Sequence, residues 1–364
     1  METLLEHALS ELTWLVASDS TNPPRRPDAL VERLAASLRV LDLEVSLTDH
    51  GEGCVSVFAS RGEPRVLFNA HVDTVPVAPG WTRDPFELVV EGDRAFGLGA
   101  CDVKGGAAAM IAAAAATREP CALLFTTDEE AGKSTCIREL IRAKGHEGYR
   151  FAVVAEPTGA EAVLAHRGIG SGKMTFTGRA GHASVAGSHS AIHDMARWTV
   201  AALDEAERMA DSGETELRGL RLNVGRVEGG EKPNVVAGRA EARFGVRPPP
   251  ELDPAEALAR LAALAPGATL DVSFRGPPLP KTTELGRRAR ELASFCDLPI
   301  GASVDFWTEA SLFSEADLPA MVLGPGRIAQ AHGADEFVML DEIARAAEHY
   351  VRILRRSAGA EGRA

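Results

Sequence analysis

The sequence predicts an α/β protein, with an open, mostly parallel sheet that is interrupted by a small α+β insert. Three observations lead to this fold class. Strand-like apolar runs alternate with helix-like segments as far as Glu156, as is typical of a parallel sheet. Between residues 165 and 276 the order changes to βαββαβ, which is that of a ferredoxin-like module. The chain has 364 residues, and domains with a single hydrophobic core are usually shorter than this, so two domains are expected.

The first part of the core, residues 1–164, is predicted to begin with two helices and to continue with alternating strands and helices. Leucines recur at helical spacing in the two N-terminal helices, and a glycine- and alanine-rich run predicts a third. Short apolar or alternating runs mark the strands. The predicted helices are 5–15, 30–41, 105–117 and 134–143, and the predicted strands are 43–48, 54–59, 66–70, 121–127 and 151–155.

The insert, residues 165–276, is predicted to contain four strands and two helices. Its predicted strands are 170–178, 220–227, 235–246 and 269–274, and its predicted helices are 189–209 and 254–265. The core resumes in residues 277–364 with a helix, the strand MVLGPG and a long final helix; the helices are 283–295 and 340–354. The polar tail 357–364 is predicted to be disordered.

Composition and charge exclude several classes of protein. With 45% hydrophobic residues the chain cannot be mainly disordered. A net charge of −13 argues against nucleic acid or an anionic membrane as partner, since both require clustered Lys and Arg. The five scattered cysteines, without a CxxC pair, indicate reduced thiols. The N-terminus lacks the pattern of a signal peptide, and no apolar stretch is long enough to span a bilayer, so we expect a soluble, cytoplasmic protein.

Five metal-seeking side chains follow strand-like runs or lie in glycine-rich turns. They are His71, Asp102, one acid of the triplet Asp128-Glu129-Glu130, Glu156 and His332. Ligands of open α/β sheets gather beyond the carboxyl ends of the strands, so these side chains can converge despite their separation in sequence. Two histidines and three carboxylates suit zinc, manganese or cobalt, and they are too many for one tetrahedral catalytic zinc. The pattern therefore predicts a metal-dependent hydrolase with two ions that share a carboxylate.

Each of these side chains also has an ordinary explanation, as a surface histidine, a helix N-cap, a solvated acidic turn or a salt-bridge partner. Three local features favour the functional interpretation. Asp73, two residues after His71, can accept a hydrogen bond from the ring nitrogen that faces away from a metal. The glycines around Asp102 let the backbone approach a site closely. In the acidic triplet, one glutamate can ligate a metal while its neighbour serves as general base.

Several motifs resemble those of a known family. The segments HVDTVP, GLGACDVKGG, TTDEEAG, AEPT and AHGADEF resemble the five motifs of the M20 family of dinuclear zinc amidohydrolases and peptidases. GRAGHAS and the NVV at residue 234 resemble its inserted lid, which also mediates dimerisation. The resemblance covers essentially the whole chain. It implies a zinc-peptidase-like catalytic core in residues 1–164 and 277–364, with a lid and dimerisation domain at 165–276.

The resemblance also assigns metal ligands. It implies that His71 and Glu156 bind one zinc ion and that Glu130 and His332 bind the other. Asp102 would bridge the two ions, at the separation of about 3.5–4 Å that is usual in two-metal sites. Cobalt would be a possible substitute for zinc.

Further residues receive catalytic and binding roles from the same resemblance. Glu129 would be the general base and Asp73 the residue that orients the metal-binding histidine. His182, in GRAGHAS, would stabilise the oxyanion, reaching into the active site of the other subunit of a homodimer. Three residues would bind the substrate in addition to His182: Asn234, Arg247 and Glu309.

Within the family, TEASLF and GPGRIAQAH resemble the branch that deacetylates N-acetylornithine or N-acetylcitrulline in arginine biosynthesis. The implied reaction is hydrolysis of a small N-acetyl amino acid to acetate and the free amino acid. An aminoacylase, a dipeptidase and a succinyl-diaminopimelate desuccinylase are the alternatives within the class. The last is weakened because its family members have a Ser-Asp version of the segment at 308–311. A catalytically silent scaffold is the alternative from another class, and the intact ligand set argues against it.

Overall fold

The computed structural model describes residues 3–24, 27–130, 134–210 and 216–359. The chain divides into two compact units. The first comprises Met1–Leu164, Thr282–Ala302 and Thr308–Ala364, and the second comprises Ala165–Lys281 and Ser303–Trp307. In the described ranges, no helix is both long and apolar enough to cross a membrane.

The helices and strands follow the predicted order, with several short additions. The helices are α1 (Leu4–Ala17), α2 (Asp28–Val40), α3 (Gly105–Ala115), α4 (Thr135–Arg142), α5 (Ala191–Arg208), α6 (Pro254–Ala262), α7 (Thr283–Phe295), α8 (Ala310–Glu315) and α9 (Leu340–Ala358). The strands are β1 (Glu44–Asp49), β2 (Val55–Arg61), β3 (Val66–His71), β4 (Val89–Glu91), β5 (Arg94–Phe96), β6 (Cys121–Thr126), β7 (Phe151–Val154), β8 (Ile169–Thr177), β9 (Gly181–His182), β10 (Arg221–Gly229), β11 (Val235–Val236), β12 (Arg239–Arg247), β13 (Thr269–Gly276), β14 (Ala320–Val322) and β15 (Phe337–Met339). Since α9 continues to Ala358, the start of the tail predicted to be disordered is helical; residues 360–364 lie outside the described ranges.

The first unit is built on a six-stranded sheet with the order β1-β2-β6-β3-β7-β14. The four strands from β6 to β14 are parallel, whereas β2 pairs antiparallel with both β1 and β6. Strands β3 and β6 are buried along their whole length, as their continuous apolar runs predict for strands covered on both faces. Helix α3 is apolar all round and is buried in the same core, where its alanines allow close approach.

Two features of the first unit are absent from the sequence-based prediction. Strands β15, β5 and β4 form a separate antiparallel sheet. Each of these strands has three residues, too few to establish an alternating pattern. The short helix α8, of six residues, begins within the segment TEASLF, directly after Glu309.

The second unit is a four-stranded antiparallel sheet with the order β10-β12-β8-β13 and with two helices, α5 and α6. Along the chain this is the ferredoxin-like arrangement, in which the first and third strands are central. Strand β8 alternates buried and partly exposed residues, so one face of the sheet lies against the core formed with the helices. The role of this unit as a lid stays a prediction.

The single strand predicted at 235–246 is two strands in the structure. The break is at Ala237 and Gly238, whose carbonyl groups accept hydrogen bonds from the N–H groups of Ala191 and Gly178. Before this break β11 pairs with β9, and after it β12 pairs with β8. The apolar pattern does not reveal this change of partner, because it continues across the break.

Candidate metal centre and catalytic residues

Three neighbouring parallel strands bring most of the candidate ligands together. His71 is the last residue of β3 and is in register with Thr126, the last residue of β6. Glu129 and Glu130 follow β6, and Glu156 follows β7, which pairs with the other side of β3. Because the strands are parallel, their carboxyl ends lie side by side, as ligand sites of open α/β sheets require.

Asp102 reaches the same place from an irregular turn, Ala100–Lys104, that precedes α3. Its backbone angles, φ −123° and ψ 90°, are not helical, and no side chain caps α3, so the N-cap interpretation of Asp102 is wrong. Gly99 has a positive φ of 79°. A Cβ atom at Gly99 would lie 2.6 Å from the side chain of Thr74, so both the conformation and the space require glycine there.

The carboxylate of Asp102 lies between two imidazoles. Its Oδ1 is 3.2 Å from Nε2 of His71, and its Oδ2 is 3.1 Å from Nε2 of His332. Oε1 of Glu130 is 3.3 Å from Nε2 of His332, and Oε1 of Glu156 is 3.9 Å from Nε2 of His71. The structure thus brings all five predicted ligands together.

The donor atoms form three overlapping groups in the described parts of the chain, and within each group they lie within 4.8 Å of one another. The groups are His71 with Asp102 and Glu156, Asp102 with Glu130 and His332, and His71 with Glu129 and Glu130. The first two groups share Asp102.

The electrostatics of this cluster reflect an excess of negative charge. Burial raises the pKa of Glu156 well above its usual range, and the neighbouring Asp102 adds to the effect. Burial alone would lower the pKa of His71, but hydrogen bonds with Asp102 and Asp73 raise it well above its usual value. Hydrogen bonds with Asp102 and Glu130 raise the pKa of His332 to about 11. Such a set of oxygen and imidazole donors fits divalent cations, whose charge would balance the carboxylates.

Asp73 contacts the ring of His71 on the side away from the other donors, and its role as the residue that orients His71 stays a prediction. Nδ1 of His71 is 3.1 Å from the backbone carbonyl of Asp73 and 3.5 Å from its Oδ1, so Nε2 faces the other donors. The carboxylate of Asp73 also accepts hydrogen bonds from the backbone N–H groups of Glu129, at 3.3 Å, and Glu130, at 3.1 Å. A buried amide, Nδ2 of Asn22, donates to it at 2.8 Å. No local sequence pattern predicts this contact of Asn22.

The acidic triplet separates into two parts. Oδ2 of Asp128 accepts hydrogen bonds from the N–H groups of Thr135 and Cys136, the latter at 3.2 Å, and so faces the first turn of α4. Glu129 and Glu130 face the histidines instead. Burial raises the pKa of Glu129 well above its usual range, and the carboxylate of Glu130 adds to the effect. A buried carboxyl of raised pKa is suited to proton transfer near neutral pH.

Three of the predicted substrate-binding residues lie in the second unit. His182 and Asn234 are neighbours, because β9 pairs with β11 and the N–H of Ala183 donates to the carbonyl of Asn234 at 3.0 Å. Both side chains are exposed. Nδ1 of His182 is 2.7 Å from Oγ of Ser184, which leaves Nε2 for another partner. Arg247 ends β12 and is partly exposed, and its NH1 donates to the carbonyl of Val246 at 3.2 Å.

Glu309, the fourth predicted substrate-binding residue, is in the first unit and is only 1% exposed. Its Oε2 accepts a weak hydrogen bond of 3.4 Å from Oγ1 of Thr126. Burial and the nearby Asp128 raise the pKa of Glu309 to about 8. Its role as a reader of the substrate's side chain stays a prediction.

Comparison with known proteins identifies the family. Residues 67–356 match the model of Peptidase family M20/M25/M40, which covers most of the chain and all five candidate ligands. The chain belongs to peptidase family M20. Its M20 fold is shared with a metallo-carboxypeptidase of this family from Sulfolobus solfataricus, with a TM-score of 0.77 over 96% of this chain and 99% of that one, at 18% identity.

Two curated relatives of this M20 protein are similar over nearly their whole length. An N-acetyl-L-citrulline deacetylase from Xanthomonas campestris pv. campestris is 48% identical over 98% of this chain and 100% of that protein. An acetylornithine deacetylase from Vibrio vulnificus is 27% identical over 91% of this chain and 92% of that protein. The resemblance to the deacetylase branch of the family is therefore confirmed, and the chain is a metal-dependent amidohydrolase of that family.

Proposed function

We propose that this protein is a deacetylase that hydrolyses N-acetyl-L-citrulline to acetate and L-citrulline in arginine biosynthesis. The observation that supports the chemistry is the convergence of two histidines and three carboxylates beside Glu129 at the ends of β3, β6 and β7. The choice of substrate follows the relative that is 48% identical and is named for N-acetyl-L-citrulline. The acetylornithine deacetylase of Vibrio vulnificus is more distant, at 27%.

Five residues would hold the metal: His71, Asp102, Glu130, Glu156 and His332. We propose two divalent ions, zinc by preference and cobalt as a substitute, because imidazole and carboxylate donors suit both. When bound, the ions would polarise the acetyl carbonyl and lower the pKa of the attacking water. Asp102 is the candidate bridge, since its two oxygens face different histidines.

The chain's own residues would move the proton. Glu129 lies beside His71 and Glu130, with its backbone held by Asp73. In the proposed reaction its carboxylate takes a proton from the attacking water and gives it to the nitrogen that leaves as the free amine. The water oxygen forms the new bond to the acetyl carbon, the amide bond breaks, and acetate and amino acid result. His182 would stabilise the negative charge on the carbonyl oxygen.

The substrate's carboxylate and side chain would be bound by other groups. A planar guanidinium such as that of Arg247 can bind an α-carboxylate through paired hydrogen bonds, and burial lowers its pKa without removing its charge. Asn234 would bind a carbonyl oxygen of the substrate. Glu309 would select the ureido group of citrulline, because a carboxyl group whose pKa is raised to about 8 is mostly protonated near neutral pH and can both donate to and accept from that group.

We further propose a homodimer that forms through the second unit. Strand β10 is an edge strand of its sheet, and most of its residues are exposed. Exposed apolar side chains lie on β10 and on the neighbouring α5: Val200, Leu203 and Val227. An unpaired strand edge beside exposed apolar residues favours association with a second copy of this chain.

A substrate panel tests the proposed function. We expect the highest kcat/KM of the zinc-loaded protein for N-acetyl-L-citrulline, with lower values for N-acetyl-L-ornithine, N-succinyl-diaminopimelate and a dipeptide. Acetate release measured in parallel confirms which bond is cleaved. A higher kcat/KM for N-acetyl-L-ornithine would overturn the choice of substrate, and hydrolysis of the dipeptide alone would overturn deacetylation. Binding of all four compounds without any product would indicate a silent scaffold.

A further inference from the structure

Glu336, in the AHGADEF segment, is a buried residue with an unusual set of partners; it is 2% exposed. Its Oε1 accepts the backbone N–H groups of Cys101, at 2.8 Å, and Asp102, at 3.0 Å. Its Oε2 accepts the N–H of Gly99 at 3.1 Å. Its backbone carbonyl also accepts the N–H of Gly97, at 3.0 Å. One residue therefore binds the backbone of the turn of Asp102 and of the segment directly before it at four points.

We propose that Glu336 is a positioning residue for the metal centre, whose carboxylate fixes the backbone turn that presents Asp102 to both histidines. This inference rests on the proposed function, because it concerns the same metal-dependent reaction. Glu336 is not itself a candidate ligand, since it belongs to none of the donor groups of the described residues.

The turn requires an external acceptor because its backbone is irregular. Asp102 (φ −123°, ψ 90°) and Val103 (φ −131°, ψ 31°) depart from helical angles, and Gly99 has a left-handed φ of 79°. In a regular helix, N–H groups donate to the carbonyl four residues earlier, and this turn cannot provide that pattern throughout. The carboxylate of Glu336 supplies acceptors for two N–H groups within the turn, those of Cys101 and Asp102, and for that of Gly99 directly before it.

The position of this turn determines the distances from Asp102 to both histidines of the site. The two oxygens of Asp102 lie 3.2 Å from His71 and 3.1 Å from His332, so any shift of the turn changes both contacts. Glu336 also lies on the loop that carries His332, directly before β15, which pairs with β5. It therefore connects the backbone of one candidate ligand to the loop of another, and fixes their relative placement.

The substitution Glu336→Gln distinguishes a positioning role from mere burial. Three N–H groups donate to the two carboxylate oxygens, two to Oε1 and one to Oε2. A glutamine of nearly the same shape has one carbonyl oxygen, and its amide NH₂ would face at least one N–H donor. The turn must then shift, although the volume of the side chain hardly changes.

The experiment measures metal binding directly. We expect Glu336→Gln to bind at least one of the two ions about 10–100-fold more weakly in competition with a chelator, as is typical when a residue behind a ligand is changed. The visible absorption spectrum of the cobalt-substituted variant should also differ from that of wild-type protein, since it reports the geometry of the ligands. Wild-type affinity and spectrum in a folded Glu336→Gln variant would overturn the proposal.

Glu342→Gln is the matched control. Glu342 is 3% exposed, and its Oε2 accepts a backbone N–H, that of Gly326, at 2.9 Å. It is as buried as Glu336 and also accepts a backbone N–H, but that N–H lies outside the turn of Asp102, and its Oε1 pairs with Arg327 at 3.3 Å. We expect Glu342→Gln to keep wild-type metal affinity. An equal loss in both variants would overturn the specific role of Glu336.

If Glu336→Gln fails to fold, the variant Glu336→Asp tests the positioning role of Glu336 instead. Aspartate keeps the charge but is shorter by one methylene group, so it cannot reach all three N–H groups from the same position. Weaker metal binding by the folded variant supports the proposal, and unchanged binding overturns it. If wild-type protein itself binds no metal, the proposed function fails and this inference with it. If wild-type protein binds two ions and the variants bind equally well, only the inference fails.

Discussion

The carboxylates of the candidate site contact different groups, and these contacts support different proposed roles for them. Glu130 and Glu156 point at histidine nitrogens, as ligands would. Asp73 contacts His71 on the side away from the cluster and accepts the N–H groups of the acidic turn. Glu129 shares a donor group with His71 and Glu130 but makes no close ion pair with either histidine among the described contacts. This arrangement supports the proposed role of Glu129 as general base.

Glu129→Gln should keep the metal and lose about 10²–10⁴-fold in kcat, because an amide cannot transfer the proton of the attacking water. Steady-state kinetics and metal analysis of the same sample test this. Glu147→Gln, at an exposed position, serves as control and should behave like wild-type protein. The role is ruled out if Glu129→Gln keeps more than about a tenth of wild-type kcat, a loss below roughly 1.4 kcal/mol.

Within the second unit, one buried arginine fixes the segment Ser303–Trp307. Arg167 is 1% exposed, and its guanidinium donates to the carbonyls of Arg218, at 2.7 Å, and Gly219, at 2.6 Å. Its Nε also donates to Oδ1 of Asp305 at 2.5 Å. Removing Asp305 would leave the buried cation without its carboxylate. The ion pair is thus a structural element of this unit.

Asp305→Asn should destabilise the second unit by about 1–2 kcal/mol, less than for a fully buried pair because Asp305 is half exposed. Although burial opposes ionisation, hydrogen bonds from Arg167 and Arg221 lower the pKa of Asp305. A group whose pKa is lowered on folding stabilises the fold above its unfolded pKa, about 3.9 for Asp, and this stability is lost as pH falls through the lower, folded value.

Hydrogen exchange of amides in the second unit measures the free energy of opening in wild-type protein and in Asp305→Asn. The difference between these two free energies should be constant above about pH 5 and should shrink below about pH 4. Arg221→Gln is the control: Arg221 is 63% exposed, and its loss should cost at most about 1 kcal/mol. A difference between Asp305→Asn and wild-type protein that does not change with pH would contradict the ion-pair explanation.

For the whole molecule, activity should depend on about two divalent ions per chain. Chelation should abolish hydrolysis of N-acetyl-L-citrulline, and zinc or cobalt should restore it, since the described residues contain no possible metal-donor group other than the three overlapping ones at this site. Elemental analysis of active protein gives the stoichiometry. Full activity in protein shown to be free of metal would exclude the mechanism.

The proposed dimer yields a separate prediction about His182. If this residue acts in the site of the other subunit, a mixture of inactive His182→Ala and inactive Glu129→Gln protein should regain activity, because a heterodimer contains one site with both groups intact. Mass measurement must first confirm that subunits exchange. If exchange occurs and no activity returns, His182 does not act across the dimer. His182→Ala alone should reduce kcat more than substrate binding, since the oxyanion forms only during the reaction.

The sequence determined the elements that carry the site. The apolar runs before His71, Glu129 and Glu156 are strong local signals, and the end of a buried strand is where a ligand of an α/β sheet belongs. Periodicity likewise located the long helices, including α3 and α9, and the βαββαβ order of the second unit. These features could be predicted because they depend on residues that are close in the chain.

Only the tertiary structure decided which partner each acidic side chain contacts. The contact of Asn22 with Asp73 joins residues 51 positions apart, and that of Glu336 with Asp102 joins residues 234 apart. No local pattern marks either contact. Asp128 and Glu129 are adjacent and chemically alike, yet Asp128 binds the start of α4 and Glu129 faces the histidines. Hydrogen bonds between distant segments, which form only once the chain has folded, determine that choice.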